Sequence, residues 1–106
     1  GNKMYVGDWK NGKMDGNGTQ FGYHGQMFYE GEMKEDMREG HGAWYDLETG
    51  DKTYEGDSKK GKKDGHGTSY FPTGSIEYQG RFQNDLPHGQ GTVYHRKTGH
   101  KAYEGD

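Results

Sequence analysis

The chain has 106 residues, of which 25% are hydrophobic and 21 are glycine, and its formal net charge is −3. The absence of cysteine excludes a disulfide framework and a cysteine-ligated zinc site. The negative charge argues against a general attraction to nucleic acid or to an anionic membrane, and no apolar run approaches the roughly 20 residues that cross a bilayer. We therefore expect a soluble, cytoplasmic protein that does not bind nucleic acid.

An internal repeat runs through the whole sequence. A Tyr-x-Gly motif recurs at steps of 24, 25, 24 and 25 residues, at Tyr5, Tyr29, Tyr54, Tyr78 and Tyr103. A Gly-x-Gly motif follows each of the first four, starting at Gly16, Gly40, Gly65 and Gly89. A closing glycine stands four residues before each tyrosine, at Gly1, Gly25, Gly50, Gly74 and Gly99. Aromatic residues at fixed positions of a repeat predict an ordered array rather than a disordered glycine-rich linker.

In the first unit, the alternation of side chains in an extended strand places Tyr5, Gly7 and Trp9 on one face. Asn11-Gly12 follows, which is the strongest short-range signal for a β-hairpin turn. We expect residues 15–18 to bring the chain back into a second strand at residues 19–23. The first unit is therefore predicted to be a β-hairpin.

The later units keep the same plan with different turn residues. Asp36 stands where the first unit has Gly12, the third unit carries Gly61 there, and the fourth carries Asn84-Asp85. Asp and Asn tolerate the left-handed backbone that such turns need. A helix is disfavoured because glycine recurs every few residues and no apolar stripe of helical period is present. We therefore predict an all-β chain of tandem hairpins.

The alternation between 24 and 25 residues gives a longer period of 49 residues, made of two hairpins. The additional residue always lies between the Gly-x-Gly motif and the closing glycine, in the second and fourth units. Either a longer turn or a β-bulge would accommodate it.

The repeat resembles the MORN (membrane occupation and recognition nexus) repeat, most closely at residues 54–57, Tyr-Glu-Gly-Asp, and 65–68, Gly-His-Gly-Thr. Met33 and Ser58 stand where an aromatic residue is typical of that family. The resemblance covers four units and the start of a fifth, at residues 1–24, 25–49, 50–73, 74–98 and 99–106. It implies that residues 1–106 form one array, a single-layer antiparallel meander about 40 Å long. We expect the chain to be an excerpt of a longer array.

No catalytic activity and no cofactor are expected. The Gly-x-Gly motifs do not continue into a phosphate-binding or dinucleotide-binding fingerprint, and a single-layer ribbon offers few pockets that exclude water. His41 and His66 occupy the same position of consecutive units, but a metal site without cysteine needs several converging ligands. We interpret them as turn residues and expect no metal site. The resemblance also allows a regulatory array of a larger enzyme, such as a lipid kinase or a methyltransferase.

The aromatic residues are the candidate binding surface. We expect them to pack the sheet and to line a groove for a partner protein, as a helix or an extended peptide, because Tyr and Trp are enriched at interface hot spots. The candidate groove residues are Tyr5, Trp9, Phe21, Tyr29, Tyr45, Tyr54, Tyr70, Tyr78, Phe82 and Tyr94. Choline- or glucan-binding repeats are a more distant alternative, which the adjacent pairs Trp44-Tyr45 and Tyr70-Phe71 would serve.

A second candidate site is the basic cluster at the third hairpin tip, formed by Lys59, Lys60, Lys62 and Lys63. The family name suggests phosphoinositide binding, and such a patch could contact anionic lipid. Asp57 and Asp64 flank the cluster and offset part of its charge, so we expect this contact to be weak. The alternative function is therefore a membrane-tethering module, placed at the cytoskeleton or at the inner face of a membrane.

The two ends of the array carry no proline, bulge or inward charge that would protect an edge strand. We therefore expect end-to-end self-association through residues 4–10 and 100–106.

Overall fold

The computed structural model describes residues 4–94 and the backbone of 101–105. These residues form nine strands in one sheet, and each strand pairs antiparallel with the next in the chain. The strands are β1 (Tyr5–Lys10), β2 (Lys13–Phe21), β3 (Met27–Lys34), β4 (Met37–Tyr45), β5 (Lys52–Lys59), β6 (Lys62–Tyr70), β7 (Ile76–Gln83), β8 (Leu86–Tyr94) and β9 (Lys101–Gly105). The described residues contain no helix. The predicted all-β meander is confirmed, with overall dimensions of 45 × 26 × 15 Å.

Two-residue turns connect the two strands of each of the four hairpins, and both residues of each turn have positive φ. In the first turn φ is 53° at Asn11 and 79° at Gly12, and in the second it is 49° at Glu35 and 69° at Asp36. These are the turns that match the twist of a hairpin, as the Asn-Gly pair predicts. The second strand begins earlier than predicted, at Lys13. A two-residue turn leaves no linker, so the Gly-x-Gly motif lies inside the strand.

Neighbouring hairpins are also joined at their tips. The backbone N–H of Asp36 donates to the carbonyl of Met14 at 3.0 Å, and the Asp36 carboxylate accepts the N–H of Met14 at 2.8 Å. Asp85 makes the same two hydrogen bonds to Lys63, at 3.0 and 2.8 Å. These two turns therefore continue the sheet past the last paired residues of the strands.

The additional residue of the 25-residue step lies in a turn. In the first unit the N–H of Gly22 donates to the carbonyl of Gln26, whereas in the second the N–H of Asp46 donates to the carbonyl of Asp51. The turn of the second unit is thus one residue longer. A bulge follows Gln20 in the first unit, and an equivalent bulge occurs in the second, so the bulge does not account for the difference. Of the two alternatives, the longer turn is correct; the fourth closing turn lies outside the described residues.

A row of glycines crosses the sheet and explains the two glycine motifs together. Each glycine of a Tyr-x-Gly motif pairs with the second glycine of a Gly-x-Gly motif, as Gly31 does with Gly42 and Gly56 with Gly67. The tyrosine ring lies over this row, and a Cβ at Gly42 would overlap the ring of Tyr29. Close approach of a ring to the backbone therefore requires glycine at these positions.

Candidate functional site

The sheet is a single layer with two chemically different faces. Residues directly opposite each other on paired strands share a face. Tyr54 lies opposite Trp44 on one side and Ser69 on the other, and Tyr78 lies opposite Ser69 and Val93. We call this side, which carries the repeat tyrosines and the glycine row, the aromatic face. The other side is the polar face.

The ten aromatic residues expected in one groove are divided between these faces. Those on the aromatic face are Tyr5, Trp9, Tyr29, Tyr54, Tyr78 and Phe82, which contact one another or occupy equivalent positions. Those on the polar face are Phe21, Tyr45, Tyr70 and Tyr94. The expectation of a single row was wrong because each of the latter four directly follows a residue of the aromatic face, and successive strand side chains point to opposite sides. For the same reason Trp44 and Tyr45 cannot form one aromatic cage.

The repeat tyrosines are the core of the array. Tyr29 and Tyr54 are 0% exposed, Tyr78 is 7% exposed and Phe82 is 5% exposed. Each buried tyrosine hydroxyl donates to a carbonyl three residues ahead, at 2.7 Å from Tyr54 to Asp57. Burial raises the pKa of Tyr29 to about 12, with Arg38 acting in the opposite direction. These tyrosines hold the sheet together and are themselves hardly exposed.

The space between two consecutive repeat tyrosines holds one large and one small side chain. Which of the two intervening strand positions carries the large one changes from one interval to the next. Between Tyr29 and Tyr54 the large residue is Trp44, whose ring centroid lies 5.5 Å from that of Tyr54, and Ser58 is the small one. In the next interval Ser69 is small and Phe82 is large, with its ring centroid 5.0 Å from that of Tyr54. Ser58 therefore stands in place of an aromatic residue because Trp44, on the neighbouring strand, already fills the space.

Two cationic side chains lie over the aromatic rings. The Arg38 guanidinium is 4.6 Å from the centroid of Trp44 and 4.9 Å from that of Tyr29. The Lys63 ammonium is 5.5 Å from the centroid of Trp44 and 5.3 Å from that of Tyr54. Lys63 lies on this face because it pairs with Ser58, and Arg38 because it pairs with Met33.

Lys63 is thus separated from the rest of the expected basic cluster. Lys59 and Lys62 pair with each other at the tip and are exposed, as is Lys60 in the turn. Sequence reasoning did not single out Arg38, although its place opposite Met33 in the hairpin is the signal that could have found it.

The polar face carries hydrogen-bonded carboxylates. Glu32 and Asp57 accept the backbone N–H of His41 and His66, at 2.8 and 3.3 Å. The hydrogen bond from the Lys52 ammonium to Glu55, at 2.8 Å, lowers the pKa of that carboxyl. The His41 ring lies 3.7 Å from Glu55. The described residues contain no group of three or more His, Cys, Asp or Glu side chains that could hold a metal ion.

The fold defines the class of this protein, an all-β array of antiparallel hairpin repeats in one sheet. The MORN repeat family model matches the chain four times, at residues 5–22, 29–46, 54–76 and 78–100. The chain therefore belongs to the MORN repeat family. No curated protein matches it. No helix in the described part of the chain is long and apolar enough to cross a membrane.

Proposed function

We propose that this array is a non-catalytic, protein-binding scaffold that presents its aromatic face to a partner helix or extended peptide. MORN repeats are in general modules for interaction with proteins or membranes. We propose a protein rather than a membrane as the partner because of the aromatic face.

The observation that carries the proposal is that the aromatic face has no second layer within the described residues. A sheet normally buries its apolar face against another sheet or against helices. Here Trp9 is 58% exposed, Trp44 is half-buried, and only side chains of the sheet itself cover the buried tyrosines. A shallow hollow of about 310 Å³ on this face, between Tyr78, Phe82, Pro87 and Val93, is open to an incoming apolar side chain.

The test is a selection of peptides from a random display library against the whole chain, followed by fluorescence titration. The sequence contains two tryptophans, and both lie on the aromatic face, so their emission reports on that face. In a Trp9→Phe variant, binding of a selected peptide should change the emission of Trp44. A Tyr45→Phe variant, changed on the polar face, is the matched control and should bind equally well. Peptides that bind without any change in tryptophan emission would place the site elsewhere and contradict the proposal.

The exposed tip lysines Lys59, Lys60 and Lys62 favour a second candidate, weak contact with anionic lipid. We expect the chain to sediment weakly with vesicles that contain phosphoinositide and to dissociate at moderate salt, because the net charge of −3 opposes association. The triple variant with glutamine at these positions should not sediment. Binding that resists salt, or that persists in the triple variant, would contradict this assignment.

A further inference from the structure

The aromatic face holds two positive charges close to a single ring. The Arg38 guanidinium and the Lys63 ammonium both lie within 5.5 Å of the centroid of Trp44. They come from equivalent positions of consecutive hairpins, on β4 and β6. One short segment laid across Trp44 would therefore meet both cations.

Neither cation has an acidic partner among the described residues. No carboxylate of the described chain lies within ion-pair distance of Arg38 or Lys63, since the ion pairs found there all involve His41 or Lys52. The Nε–H of Arg38 donates to the Gln20 side chain at 3.1 Å, and the terminal guanidinium nitrogens make no hydrogen bond to the described residues. Arg38 is half-buried, and this burial lowers its pKa.

The acidic groups near this face accept hydrogen bonds from other donors. Asp36 accepts the backbone N–H of Met14, and Asp85 accepts that of Lys63. Glu77 accepts the hydroxyl of Ser69 at 3.2 Å. Asp85 raises the pKa of Arg38 from a distance, but it does not form an ion pair with it. These hydrogen bonds come from neutral donors and leave the carboxylate charges in place, but none of the described carboxylates lies within ion-pair distance of Arg38 or Lys63. Both cations therefore remain available to carboxylates of a partner.

We propose that the partner of the aromatic face is an acidic peptide segment, whose carboxylates pair with Arg38 and Lys63 while an apolar residue between them contacts Trp44. This inference rests on the proposed protein-binding function and specifies its partner. A planar guanidinium binds a carboxylate through two parallel hydrogen bonds, and partial desolvation strengthens such a pair. The net charge of the chain would by itself favour a basic partner. The net charge and the local charges of Arg38 and Lys63 therefore predict opposite partners.

The probes are three synthetic peptides of identical length and apolar sequence, which carry glutamate, glutamine or lysine at the same polar positions. Each is titrated into the isotopically labelled whole chain, and the indole N–H signal of Trp44 and the Nε–H signal of Arg38 are followed by NMR. The glutamate peptide should bind at least about tenfold more tightly than the glutamine peptide, as expected for charge-assisted hydrogen bonds. Raising the salt concentration should reduce this difference.

Matched variants assign the effect to the two cations. Arg38→Gln and Lys63→Gln should each weaken binding of the glutamate peptide about tenfold, while Arg38→Lys should lose less. Lys59→Gln and Lys62→Gln remove charge from the polar face of the hairpin that carries Lys63 and should have no effect. Retained dispersion of the Trp44 signal in each variant shows that the chain is still folded.

The outcomes separate this inference from the function on which it rests. If the glutamine or lysine peptide shifts the Trp44 signal with equal or higher affinity, or if Arg38→Gln and Lys63→Gln bind the glutamate peptide normally, the acidic partner is wrong and the protein-binding face remains. If neither these peptides nor any library-selected peptide perturbs Trp44, the proposed function itself is wrong.

Discussion

The ring of Tyr54 lies directly on the backbone of Gly67, on the neighbouring strand, and a Cβ at that position would overlap the ring. The same relationship joins Tyr5 to Gly18, and Tyr78 to Gly91. Gly67→Ala should therefore destabilise the array by about 1–3 kcal/mol, which is the usual cost of overpacking. Urea unfolding followed by circular dichroism measures this loss.

Gly74→Ala is the control for backbone strain alone. Its φ is 93° and a Cβ there would meet nothing within 4 Å, so we expect a cost of about 1–2 kcal/mol. In the first unit, where Tyr5 is only half-buried, the cost of Gly18→Ala should largely disappear in a Tyr5→Ala background. A cost of Gly18→Ala that is unchanged without the Tyr5 ring would refute the overlap.

The exchange of large and small residues between neighbouring strands predicts a specific rescue. Ser69→Trp copies the arrangement of Trp44, but Phe82 already fills that space, so the variant should lose about 1–3 kcal/mol of stability. Adding Phe82→Ser reproduces the Trp44 and Ser58 pair and should restore part of the loss. A double-mutant cycle by thermal unfolding measures the coupling. Strictly additive effects would show that the two positions do not share one volume.

The stability of the array should fall at alkaline pH. Burial raises the pKa of Tyr29 from 10 to about 12, and the pKa of Tyr54 is raised further by the same cause. Because the folded pKa is higher than the unfolded one, the contribution of Tyr29 is complete below pH 10. It is lost as the pH rises toward 12, at about 1.4 kcal/mol per pH unit.

Denaturant unfolding at several pH values, with tyrosinate absorbance recorded in parallel, measures this dependence. A Tyr29→Phe variant should show a smaller fall above pH 10, although it also loses the hydrogen bond to the Glu32 carbonyl. A stability that stays constant from pH 10 to pH 12 would be inconsistent with a buried neutral tyrosine.

Self-association should proceed through β1, which in the described residues pairs only with β2. Its side chains include exposed apolar groups, since Val6 is 49% exposed and Trp9 is 58% exposed. Sedimentation velocity should show concentration-dependent assembly, and Val6→Lys should reduce it because charge on an edge strand opposes pairing. A monomer at all concentrations would disprove this expectation.

The fold could be predicted from the sequence because its signals are local. Asn11-Gly12 and the phase of the glycines determine the hairpins without knowledge of the rest of the structure. The division into two faces could also have been predicted, because alternation counted from Gly18 puts Gln20 on the same face as the glycines and Phe21 on the other face. The positions of Arg38 and Lys63 over Trp44 could not be predicted in this way, because they depend on the register between neighbouring hairpins, which the pattern of a single strand does not contain.

The central claim is that partners bind the aromatic face, and a spin-labelled peptide tests it most directly. A peptide selected against the whole chain is given a nitroxide label, and paramagnetic broadening of side-chain signals identifies the nearer face. We expect the indole N–H signals of Trp9 and Trp44 to broaden, with the ring signals of His41 and His66 on the polar face much less affected. Broadening of the histidine signals with sharp tryptophan signals would place the partner on the opposite face and contradict the account.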